Sequence, residues 1–199
     1  MTKNSLPPDI YEDSRCRVPL PKREDLDEAG RKIFDHHKDP KGGSLAGLHG
    51  PGGIRLHSPK LSALQAPASR YLRFESGFSG RIRELVILVT AREMDSEFEW
   101  FQHEQEALKE GVPQDIVDVV KQRKPLAGVP EPEATIIELG RQLIGRRRVD
   151  SEVFARALKA FGRRGLVDMV SLMGNYAATA LLLAAFDAQL PEGVAPQLT

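Results

Sequence analysis

Glu84, Glu99 and His103 are the side chains whose types and spacing point to chemistry. Glu99 and His103 stand four apart, so a helix puts them on one face. Glu84 lies in Arg83-Glu84-Leu85-Val86-Ile87-Leu88-Val89, and its helical neighbours Ile87, Leu88 and Ala91 are apolar or small. A carboxylate in that setting is expected to be partly buried, and burial favours its neutral form. A perturbed acid beside a histidine moves protons. His103 is the expected proton donor or shuttle, because an unperturbed imidazole titrates near physiological pH. Glu99, one turn away, would orient it or share its proton. A neutral Glu84 would donate a hydrogen bond to a developing enolate oxygen. Two plainer readings stand beside these. A Glu-x-x-x-His pair on a helix can be a solvated surface pair worth about a few tenths of a kcal/mol. Glu84 can be a structural acid held by backbone donors or by an arginine such as Arg81.

The elements that must carry these residues read as helices. Alternating β-branched runs are nearly absent, while apolar residues recur at helical spacing. Residues 1–24, with several prolines, read as an extended arm, and 25–199 as a single helical domain. A first helix is expected over 25–37, capped by Asp25 or the residue before it. Residues 39–57 read as a long Gly/Pro-rich loop, a length that is usually functional or disordered. Ser58-Pro59 then opens a helix over 59–75, which Pro67 breaks or kinks. Further helices are expected at about 81–93, 96–110, 113–122, 133–146, 151–161 and 164–187. Ser79-Gly80, Asp95-Ser96 and Gly111-Val112-Pro113 supply the breaks. The stretch 78–86 resembles 161–170 with one inserted residue, each putting an acid inside an apolar helix, as a weak internal repeat or by chance.

Composition narrows the partners. Lysines and arginines equal aspartates and glutamates, giving a formal net charge of zero and no basic stretch of the kind that binds nucleic acid. Arg146-Arg147-Arg148 and Arg163-Arg164 are short runs near expected helix ends. Cys16 is the single cysteine, so no disulfide framework and no multi-cysteine metal site is available within the chain. No apolar leader is evident at the start, and the longest apolar run, 177–186, is too short to span a bilayer. The cytoplasm is the expected location, with no membrane partner.

The run Arg83-Glu84-Leu85-Val86-Ile87-Leu88, then Phe98-Glu99-Trp100-Phe101-Gln102-His103-Glu104, then Ala107-Leu108-Lys109-Glu110-Gly111-Val112, resembles the carboxymuconolactone decarboxylase and alkylhydroperoxidase D superfamily. The resemblance covers roughly 70–125. Gly50-Pro51, Leu56-His57-Ser58-Pro59 and Gly174-Asn175-Tyr176 are similar to outer portions of that family. It implies an all-α domain that assembles as a homo-trimer or homo-hexamer, with active sites near subunit contacts. The peroxidase branch carries a glutamate followed by Cys-x-x-Cys-x-x-x-His. Glu84 and His103 match the glutamate and histidine, but Ser96 and Glu99 stand in place of the cysteines. Disulfide chemistry needs a thiolate, so the chain is similar to the decarboxylase branch instead. That branch loses CO2 from a carboxylate whose electrons flow into an unsaturated lactone. The conjugated lactone is its own electron sink, so no cofactor is expected.

The resemblance implies a cofactor-independent lyase or isomerase acting on a small carboxylated cyclic compound, such as a lactone from aromatic degradation. Glu84, Glu99 and His103 would be catalytic, although the same residues suit proton abstraction, isomerisation or lactone opening. His57, beside the glycine loop and before Ser58-Pro59, would face an anionic substrate at a helix start or be a plain loop histidine, and Arg55 would pair with the substrate carboxylate or be an exposed arginine. Trp100 would wall the pocket or serve as a core aromatic. Asp168, Ser171, Asn175 and Thr179 form a polar stripe in an apolar helix, which lines a cavity or bonds across an interface; Tyr176 would reach either. His49, His36 and His37 read as ordinary loop or solvated residues. No metal is expected, since the Glu-x-x-His and His-Glu-x-x-His spacings are both absent. The alternatives are a non-catalytic helical oligomer that binds a small molecule or scaffolds a partner and, with less support, a hydroperoxide-linked reductase.

Overall fold

The computed structural model describes residues 6–39 and 44–198. Among these the regular structure is helical, with no strand and only an isolated bridge between Tyr11 and Cys16. The helices are α1 (Glu28–Lys38), α2 (Pro51–Arg55), α3 (Pro59–Arg70), α4 (Gly80–Glu93), α5 (Glu97–Lys109), α6 (Gln114–Lys121), α7 (Glu133–Gly140) and α8 (Ser151–Ala185). The all-α expectation holds.

Local chemistry explains most of the boundaries. Asp27, rather than Asp25, caps α1: its carboxylate accepts from the Gly30 N–H at 2.7 Å, while Asp25 closes a short 3₁₀ turn. Ser79 caps α4 through the Ile82 N–H. Gly111, at φ +87°, lets the chain leave α5, and Val112 N–H returns to the Ala107 carbonyl at 2.9 Å. Pro67 sits inside α3 without ending it; the helix instead widens into a π-helical turn over Tyr71–Glu75. A second π-helical turn, Arg141–Arg146, extends α7. The expected loop over 39–57 holds the short α2, started by Pro51; residues 40–43 lie outside the described residues.

Helix α8 is broken at Gly162, whose φ of 67° and ψ of 176° are not helical. The break falls between the two helices expected at 151–161 and 164–187. By length and composition alone α8 would suffice to cross a membrane, which the 177–186 run by itself would not; half of its most apolar window is buried inside the fold.

The chain forms two compact units. The first comprises Met1–Ala68 with Leu181–Ala195, and the expected boundary at residues 24–25 lies inside it. Here the N-terminal segment is tied to the chain near 190: Arg17 N–H donates to the Phe186 carbonyl, and Gln189 N–H to the Arg15 carbonyl, each at 2.9 Å. Cys16 is buried in this unit.

The second unit comprises Ser69–Ala180 with Pro196–Thr199 and contains the main hydrophobic core. Its centre is α4, buried from Glu84 through Arg92 and packed against α5 and α7. Leu85, Ile87 and Leu88 are fully enclosed, each worth roughly 1.5–3 kcal/mol of burial. Gly140 is where α7 comes closest to α4: a Cβ built there would meet Val89 Cγ1 at 2.2 Å. Arg81 at the start of α4 pairs with the buried Glu133 at the start of α7. The last residues fasten to this unit too. Glu97 accepts the backbone N–H groups of Gln197 and Leu198, both at 2.7 Å.

Candidate functional site

The centre of the second unit gathers buried polar groups from α4, α5 and α8. Because α4 is buried along most of its length, a carboxylate at position 84 is largely withdrawn from bulk water. Glu84 is 2% exposed, and His103 from α5 is 6% exposed. His103 Nδ1 lies 2.7 Å from Glu84 Oε2. The other carboxylate oxygen, Oε1, accepts from Arg83 Nε at 2.9 Å. Arg83 in turn donates through Nη2 to Glu110 Oε1 at 3.0 Å and through Nη1 to the Arg73 carbonyl at 3.4 Å.

These contacts decide the charge of Glu84. Burial pushes its carboxyl upward, but the His103 hydrogen bond and charge, backed by Arg83, outweigh burial and hold it below the usual glutamate range. The expectation of a neutral, hydrogen-bond-donating Glu84 is therefore corrected: Glu84 is a carboxylate. A carboxylate only accepts, so the proton of the shared bond sits on His103 Nδ1 and leaves Nε2 as the nitrogen free for other work. The structure also corrects the partner. Arg83 binds Glu84, whereas Arg81 is engaged with Glu133.

Glu99 and Tyr176 complete the surroundings. Glu99, on α5, is 3% exposed. Glu84 fixes the His103 ring through its bond to Nδ1. Tyr176, on α8, packs edge-to-face on the His103 ring at 5.1 Å between centroids. Burial raises its phenol above the ordinary tyrosine value against the opposing pull of Arg73, with the Glu84 and Glu99 charges adding to the rise. Its hydroxyl thus stays protonated, and among the described residues it makes no hydrogen bond. Trp100 is fully buried in the core, its Nε1 without a hydrogen-bond partner and the Lys121 ammonium 5.6 Å from its ring.

The remaining sequence-derived candidates divide by unit. Arg55 and His57 belong to the first unit, where His57 Nε2 lies 2.9 Å from the Pro19 carbonyl. Along α8, Asp168 accepts from the Tyr71 hydroxyl at 3.0 Å, Thr179 bonds back to the Asn175 carbonyl, and Ser171 is exposed. Among the described residues no group of three or more His, Cys, Asp or Glu side chains is gathered to hold a metal ion. Sequence reasoning missed Arg83 and Arg73. The signal for Arg83 was its adjacency to Glu84; nothing local marked Arg73.

What the arrangement can do is specific. With Nδ1–H held by Glu84, Nε2 is the ring nitrogen that can deliver or take up a proton, and the Glu84 carboxylate offsets the imidazolium charge while Nε2 carries one. The Tyr176 ring packs edge-to-face on the same imidazole, and its phenol stays protonated. No protein-family model matches the chain, and no curated protein matches it.

Proposed function

We propose that the chain is a cofactor-independent lyase of the decarboxylase type, or an isomerase, acting by proton transfer on a small carboxylated cyclic compound such as a lactone. Its fold is of the carboxymuconolactone decarboxylase and alkylhydroperoxidase D kind, assembled as a homo-trimer or homo-hexamer. The observation that carries the reading is the buried Glu84–His103 pair, with the glutamate ionised and its second oxygen held by Arg83.

In this reading the C–C bond to the departing carboxylate breaks, CO2 leaves, and the electron pair moves into the conjugated lactone carbonyl. The Tyr176 hydroxyl donates to the resulting enolate oxygen, the role a neutral Glu84 would have had. His103 Nε2–H then protonates carbon, and the neutral imidazole is reprotonated from solvent. Glu84 positions the ring and offsets its charge. The hydroperoxide alternative lacks support, because Ser96 and Glu99 supply no thiolate and Cys16 has no second cysteine to pair with.

The test is an ultraviolet lactone assay with recorded CO2 release, using γ-carboxymuconolactone and related carboxylated lactones. Wild type should turn over at least one, and a folded His103→Ala variant should lose about a hundredfold or more. No turnover across the panel, with Glu84 and His103 variants altering stability alone, would instead favour the non-catalytic binding oligomer.

A further inference from the structure

Arg83, which binds Glu84, and Arg73, whose carbonyl accepts from Arg83 Nη1 at 3.4 Å, are not equivalent. Arg83 is neutralised by Glu84 at 2.9 Å and by Glu110 at 3.0 Å. Arg73 projects from the π-helical turn Tyr71–Glu75, a backbone feature often found at functional sites. Its Cζ lies 4.7 Å from the centre of the Phe74 ring, and the Arg83 Cζ lies 5.5 Å from the same centre. Among the described residues the Arg73 guanidinium has neither an ion-pair partner nor a hydrogen bond, although its Nε is buried.

A partly desolvated cation beside a second cation, with no counter-ion of its own, is an unfavourable arrangement for a purely structural residue. Its charge does reach the site. Burial sets the Tyr176 phenol high, and Arg73 is the strongest charge acting in the opposite direction. Phe74, 57% exposed, offers an apolar face beside both guanidinium groups.

We infer that Arg73 is the anchor for a ligand carboxylate bound on the Arg83 side of the Glu84–His103 centre, gripping it with its guanidinium N–H groups, and that it selects anionic over uncharged ring compounds. A guanidinium presents parallel donors that match two carboxylate oxygens, which a lysine ammonium does not. The inference rests on the Glu84–His103 centre being a ligand site; it does not require that the ligand be turned over. Arg73 is a specificity-determining residue in this account, and proton transfer stays with His103.

The experiment is calorimetric titration of benzoate and of its uncharged counterpart benzamide into wild type, Arg73→Ala and Arg163→Ala, the last removing an exposed guanidinium from α8. Wild type should bind benzoate about tenfold or more tighter than benzamide. Arg73→Ala should lose that preference, and Arg163→Ala should keep it. Should circular dichroism show Arg73→Ala unfolded, Arg73→Gln carries the comparison, since it retains a polar tip without the charge. Equal benzoate affinity in wild type and the folded Arg73 variant overturns the assignment, as does a wild type that binds neither compound or binds both alike. Failure of every lactone to turn over leaves these titrations readable. Lactone turnover with an unchanged benzoate affinity in the Arg73 variant would remove the anchor alone.

Discussion

Glu84 stays ionised in the fold at acidities where a free glutamate already takes up protons, so protonating it weakens the folded state. The direction follows from the lowered value. The contribution is complete above the ordinary glutamate value of 4.5 and fades as pH falls through the lower folded-state value. Glu84→Gln should therefore cost about 1–3 kcal/mol at pH 7, and the difference from wild type should shrink below about pH 4, as read by urea unfolding at both pH values. A gap that widened on acidification would contradict an ionised Glu84. If the chain is the proposed lyase, the same variant should lower kcat about a hundredfold, because an amide at Nδ1 neither offsets the imidazolium nor fixes the ring tautomer. Arg83 matters through the same oxygen pair, so its loss should move Glu84 upward and bring the acid transition nearer neutrality.

At the scale of elements, two glycines carry separate burdens. Gly162 breaks α8 at φ 67° and ψ 176°, a region closed to side chains, so Gly162→Ala should cost about 1–3 kcal/mol in chemical denaturation although its added methyl would meet no atom within 4 Å. Gly140 is the opposite case. Its backbone is helical, but a methyl there collides with Val89, so Gly140→Ala should cost about 1–3 kcal/mol through overpacking between α7 and α4. An unchanged midpoint for either variant would contradict the corresponding reason. These contrasts also mark what the sequence made legible. The extents of α4, α5 and the two arms of α8 follow from local signals: apolar periodicity, Ser79 as a cap and Gly111 as a break. The burial of Glu84 was legible too, from Ile87, Leu88 and Ala91 around it. That Glu84 meets His103 was not, because the i,i+4 rule is read within α5 and carries no information about how α4 packs alongside. Arg73 escaped for a related reason, since a π-helical turn shifts side chains off the helical register from which faces are read.

At the scale of the whole chain, the second unit draws on both ends of its span. Its core runs from Leu72 to Tyr176, and the C-terminal residues return to it through Glu97, Lys121 and Leu198. Deleting residues 196–199 should lower the stability of that unit by about 1–3 kcal/mol, because three hydrogen bonds, two of them to the Glu97 carboxylate, and one apolar contact disappear; a melting temperature equal to that of the full chain would contradict it. If the proposed assembly is right, light scattering of the purified protein should give three or six chain masses. Trp100 brings a last consequence. It is the single tryptophan of the chain, sealed from solvent, adjacent to Glu99 and one helical turn from His103. Excitation near 295 nm, roughly where only indoles absorb, therefore reads one fluorophore whose dry surroundings set a short-wavelength emission. Its red shift on unfolding, and any quenching as a small anion docks nearby, make the protein its own optical probe, with no label to attach.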